Sequence, residues 1–74
     1  MLTEAQFDQR VRQLLTDTVP AATRRGWSEA ELNTWWNSVA TADGQLMAYR
    51  PSGDAPPLDA AIRACRGLIG EGAA

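Results

Sequence analysis

The hexapeptide WSEAEL at residues 27–32 repeats the grammar of LTEAQF at residues 2–7: apolar, hydroxyl, Glu, Ala, Glu or Gln, apolar. In both, a hydroxyl residue stands three positions before a side chain that can reach back to its backbone N–H, which is the capping-box signature of a helix start. Thr3 with Gln6, flanked by Leu2 and Phe7, opens one helix, and Ser28 with Glu31, flanked by Trp27 and Leu32, opens another. A capping box with its hydrophobic staple needs no ligand to explain it, so the repeat is read as two helix N-termini and not as a binding motif.

Apolar residues continue each start at helical spacing. Phe7, Val11, Leu14 and Leu15 predict a first helix over Glu4 to Asp17, and Leu32, Trp35, Trp36 and Val39 form the stripe of a third. Between them, Pro20 and Gly26 bracket a short helix with Pro20 as its first residue. Asp43 and Gly44 form a turn pair, and Leu46 to Arg50 is expected either as a brief extended piece or as one more helical turn. PSGDAPP, residues 51–57, is the one clear irregular loop. From Pro57 onward, Leu58, Ile62, Cys65 and Ile69 predict a last helix that Gly70 ends, with a frayed tail over Glu71 to Ala74. The expected architecture is a single all-α domain over residues 1–74: three main helices, one short helix, and an optional extended segment at 46–50.

Composition narrows the chemistry. The chain has 74 residues, a net charge of −2, no Lys, no His and one Cys. Serine–histidine catalysis, histidine metal sites, Schiff-base lysines and lysine-bearing phosphate loops are excluded for want of the residues. Cys65 has no histidine base and lies on an apolar stripe, so it reads as a small hydrophobe, and a lone cysteine forms no internal disulfide. Glu29 and Glu31 are two apart and do not share a helix face, and Asp54 and Asp59 flank the proline loop, so no acid pair is indicated. No enzymatic activity, cofactor or metal is expected. The acidic start lacks the pattern of a signal peptide and no apolar run is long enough for a membrane span, so a cytoplasmic protein is expected.

Residues 18–37 resemble a helix-turn-helix in spacing, with Ala22, Gly26 and Leu32 at its marked positions and Ala21, Trp27 and Trp35 at apolar ones. That resemblance implies a recognition helix over Ser28–Asn37, in which Asn33, Thr34 and Asn37 read base edges while Arg24 and Arg25 hold the backbone. Glu29 and Glu31 in its first turn would repel phosphates, and the acidic net charge gives no basic face, so nucleic acid is not the expected direct ligand. GWSEAEL at 26–32, a following Trp, and PLDAA at 57–61 resemble the toxin-binding domain of bacterial antitoxins of the MbcA/ParS kind.

The leading expectation is a small interaction protein of bacterial or phage origin that docks on a larger partner and blocks or regulates it, for instance a nucleic-acid-handling defence complex. Trp35 and Trp36 are adjacent and diverge by about 100° on a helix, so both cannot face one core equally. Leu32, Trp36 and Val39 are expected inward, with Trp35 either lying across a seam or anchoring a partner. Trp35 with Arg24, Arg25 and Arg50 is the candidate patch, and Asp43, Asp54 and Glu29 form a secondary acidic edge. Either a monomer or a homodimer is consistent with such a chain.

Overall fold

A computed structural model describes residues 2–70, and the expected frayed tail at 71–74 lies outside the described residues. The architecture is all-α: α1 Glu4–Thr18, α2 Ala21–Arg24, α3 Glu29–Val39 with a 3-10 turn at Ala40–Ala42, α4 Gly44–Ala48 and α5 Pro57–Cys65. Among the described residues there is no strand.

Both capping boxes form. Thr3 Oγ1 accepts from Gln6 N at 3.1 Å, while Gln6 Oε1 accepts from Thr3 N at 2.9 Å. At α3, Glu31 Oε1 accepts from Ser28 N at 2.7 Å and from Ser28 Oγ at 2.6 Å. Pro57 occupies the first turn of α5, where its missing N–H costs nothing.

Contacts along α1 define the layout. Moving from α3 into α4, Trp35 meets Thr18, Asp43 meets Arg10 and Tyr49 stacks on Phe7, so this arm runs antiparallel to α1. Arg63 reaches Glu4 and Asp8, and Leu68 shares a surface depression with Arg12 and Thr16, so α5 runs parallel to α1. α5 packs against α1, α3 and α4. Its buried face is mostly alanine, with Ala60 and Ala61 at 0% exposure, and small side chains let helix axes approach closely.

Phe7 lies where the elements meet, stacked on Tyr49 with ring centroids 4.2 Å apart and tilted against Trp36 at 6.2 Å. The radius of gyration of 11.6 Å is close to the ~11 Å of a compact chain this long, so the arms close over this core.

One open local expectation is decided, and two others, at Pro20 and at the end of the last helix, are corrected. Of the two conformations expected for 46–50, the helical turn forms and ends at Ala48. Asp43 Oδ1 accepts from Gln45 N and Leu46 N and starts α4, and Leu46 and Tyr49, three apart, both turn inward. A strand would send those two to opposite faces. Pro20 is the N-cap of α2, with ψ at 150°, and not its first residue.

The last helix ends at Cys65 and not at Gly70. Gly67 weakens its continuation by about 1 kcal/mol, and the turn, with Leu68 N donating to Cys65 O at 2.9 Å, brings Ile69 into the core at 7% exposure. Arg63 ion-pairs with Glu4 at 3.1 Å across to α1; no Arg63–Asp59 pair forms within α5.

Candidate interaction surfaces

The largest correction concerns Trp35. It is buried to 5% exposure, and its Nε1–H donates to Thr18 Oγ1 at 3.0 Å. Thr18 Oγ1 in turn donates to Leu14 O at 2.8 Å, so the indole belongs to a relay that closes the C-terminal end of α1. A side chain enclosed in this way is not available as a surface anchor, and Trp35 is a core residue. Trp36 is buried too, at 4%; Trp27 is the indole that stays partly exposed.

The other residues of the expected patch also serve the fold. Arg24 Nη1 donates to Val19 O at 3.1 Å, placing a cation at the C-terminus of α1, whose last turn has no basic residue. Arg50 Nη1 donates to Met47 O at 2.9 Å and Tyr49 O at 3.0 Å, capping α4 in the same manner. Thus Arg24 and Trp35 meet at one end of α1, while Arg50 belongs to α4. Arg25 is exposed and forms no ion pair among the described residues.

The acidic edge is not a free edge either. Glu29 pairs with Arg66 at 3.5 Å, and Asp43 accepts from Arg10 Nε at 2.8 Å while capping α4. Asp54 alone of the three is exposed without an ion pair, in the turn where Gly53 takes φ +52°. Burial pushes the Asp43 carboxyl up, but the Arg10 hydrogen bond, the two α4 amides and the Arg10 charge together hold it below its ordinary value. The Ser28 hydroxyl and then the Ser28 N–H do the same for Glu31. Cys65 is wholly buried, which pushes its thiol up to about 11, Arg12 opposing and Asp8 adding to the effect. Among the described residues no group of three or more Cys, Asp or Glu is placed to hold a metal ion.

The helix-turn-helix resemblance implies packing that is not formed. α2 is one turn and buries none of its residues, and Ala21 and Ala22 are exposed. Asn33, Thr34 and Asn37, the candidate base-reading residues, are exposed on α3 as that resemblance requires, but they sit on a face without a cation. Ala30, Thr34, Asn37 and Thr41, spaced four, three and four, run along the outside of α3 with Asn33 and Ser38 flanking them. Three hydroxyls on this strip bond inward to the preceding turn: Thr34 to Ala30 O at 3.2 Å, Ser38 to Thr34 O at 3.0 Å and Thr41 to Asn37 O at 3.1 Å. Their donors are satisfied, so the strip presents methyl groups and two free amides.

A second surface feature has only a faint signature in the sequence. A groove of about 510 Å³ runs along the outer side of α1 and includes Arg10, Leu14 and Asp43. Its signal was the Leu14–Leu15 pair: neighbours on a helix diverge by about 100°, so when Leu15 is wholly buried, Leu14 is left at the rim.

No protein-family model, no curated protein and no solved structure matches this chain. No helix of the described residues is long and apolar enough to cross a membrane.

Proposed function

We propose that this chain is a non-enzymatic interaction module, bacterial or phage in origin and cytoplasmic, that docks on a larger protein through the outer face of α3. One observation supports this reading above others: the strip from Ala30 to Thr41 carries no charge, in a chain where 22% of residues are charged. It is roughly 16 Å long at 1.5 Å per residue. Absence of charge suits the centre of a protein–protein contact, where a charged group would have to be desolvated. Asn33 and Asn37 supply hydrogen bonds there, while Thr34, Ala30 and Thr41 supply methyl contact.

The same strip is unsuited to a duplex. Phosphate neutralisation supplies most of the affinity for DNA, and this face has no cation while Glu29 and Glu31 stand at its start. The regulator reading is therefore secondary. The docking surface also replaces the Trp35-centred patch.

Charge inserted into the strip tests the proposal. Thr34→Arg and Asn37→Glu alter exposed side chains and should change stability by no more than about 0.5 kcal/mol, checked by circular dichroism and urea unfolding. Each should abolish a capture that the wild-type chain makes from its native host, read by mass spectrometry. If both folded variants capture the same proteins as wild type, α3 is not the docking face. Retardation of random duplex DNA at low salt would instead restore the regulator reading.

A further inference from the structure

The groove beside α1 continues into a second depression that shares Arg10, Leu14 and Asp43 with it and adds Val39, so the two form one channel between α1 and the α3–α4 arm. This surface is separate from the α3 strip. We infer that its occupant is a second copy of this chain, the two α1 helices lying antiparallel about a two-fold axis that passes between Gln13 and Leu14.

Arg10, Gln13, Leu14 and Asp17 follow the spacing of one helix face. In an antiparallel pair, positions equidistant from the axis oppose each other. Arg10 of each copy then meets Asp17 of the other, giving two reciprocal ion pairs on either side of a centre where Leu14 of each copy lies against Gln13 of the other.

The groups needed for this are free. Arg10 uses only Nε, toward Asp43 at 2.8 Å, and its terminal guanidinium nitrogens have no partner among the described residues. Asp17 accepts only from Gln13 Nε2, at 2.8 Å on Oδ1, and has no ion pair among the described residues. Charge on the face is complementary in position. Each face carries one guanidinium against two carboxylates, so Arg10 holds Asp43 through Nε and offers its terminal nitrogens to the opposing Asp17, with one net negative charge left per copy. Leu14 and Val39, half-buried in one copy, supply the apolar centre. A stable dimer buries about 600–800 Å² per copy, close to one-sixth of the 4430 Å² surface of this chain.

Sedimentation equilibrium from micromolar to near-millimolar loading reads the outcome, with the mass expected to double from 8.0 kDa. Asp17→Arg, which faces Arg10 with a like charge, and Leu14→Glu should each return a monomer with an unchanged circular dichroism spectrum. If Leu14→Glu fails to fold, the exposed Asp17 position alone carries this arm. Because Cys65 is buried, Gln13→Cys introduces the one accessible thiol. Near the axis it should oxidise to a linked dimer at least ~10-fold faster than Ala22→Cys, pairing having raised its effective concentration. A wild-type chain that stays monomeric at the highest loading overturns the inference. So does a dimer that persists in Asp17→Arg, or equal crosslinking at positions 13 and 22.

Discussion

Replacing Trp35 by Ala separates a core indole from a surface anchor more sharply than any other change. The side chain is 5% exposed and its N–H bonds Thr18 Oγ1, so truncation removes nearly all of its buried area, leaves a cavity and breaks the relay to Leu14 O. Truncation of a buried Trp costs about 3–5 kcal/mol, and the lost hydrogen bond adds about 1 kcal/mol. A domain of this length has a total stability of about 4–11 kcal/mol, so the variant should lose from about half to all of it. For a chain this short the corresponding fall in Tm is on the order of 15–50 °C. Far-ultraviolet circular dichroism against urea and temperature reads the loss directly. Trp35→Phe keeps most of the packing and loses the N–H, so it should retain the fold at a cost of about 1–2 kcal/mol. Adding Thr18→Val should cost less in the Trp35→Phe background than in wild type. A Trp35→Ala chain that unfolds within about 0.5 kcal/mol of wild type, the range of surface substitutions, would refute the burial argument and return Trp35 to the surface.

Two further outcomes concern protonation. Asp43 and Glu31 both have folded values below their ordinary ones, so their stabilisation is complete above the unfolded values, about 4, and is lost as pH falls through the folded values. Urea midpoints should be level from neutral pH down to about 5 and fall below about 4, and Asp43→Asn should be less stable at neutral pH with a shallower acid decline. Cys65 shifts the opposite way. Its raised value near 11 means that its contribution is intact below the unfolded thiol value, about 8.5, and is lost as pH rises toward 11. A thiol reagent at pH 8 should therefore react with the native chain only as fast as it opens, and promptly in denaturant. Native reaction at the rate of a free thiol would contradict the burial of Cys65.

The arginines show how a site can be misread from composition. Arg and Trp are common at interface centres, which makes Trp35, Arg24 and Arg50 attractive as a patch. Two of these instead close helix ends, Arg24 on Val19 O and Arg50 on the carbonyls of Met47 and Tyr49. A C-terminal helix turn leaves carbonyls without intrahelical donors, and a short chain without lysine meets that need with guanidinium groups. Of the candidate residues, Asn33, Thr34 and Asn37 lie on the α3 strip and Asp43 lies in the α1 groove. The exposure of the three α3 residues follows from helix period alone, whereas the absence of charge along that face depends on which side of α3 is buried.

What the sequence determines by itself are features whose free energy is local. Thr3 with Gln6, Ser28 with Glu31, and Pro57 at a first turn place three helix starts to the residue, because each rests on bonds or backbone limits spanning about one turn. Phe7, Val11, Leu15, Leu32 and Trp36 declare their buried side through spacing, since one face of a helix must leave water. The tertiary structure decides what depends on partners distant along the chain. Segment 46–50 offers too few residues for periodicity to choose a conformation, and its first three residues become helical as Leu46 enters the core and Tyr49, just past the helix, stacks on Phe7. Trp35 is drawn inward by Thr18, seventeen positions away, and Arg63 passes over its helical neighbour Asp59 for Glu4, fifty-nine away. A side chain has several local partners of similar strength, worth a few tenths of a kcal/mol each, so the packing of α5 on α1 and of α3 beside it selects among them.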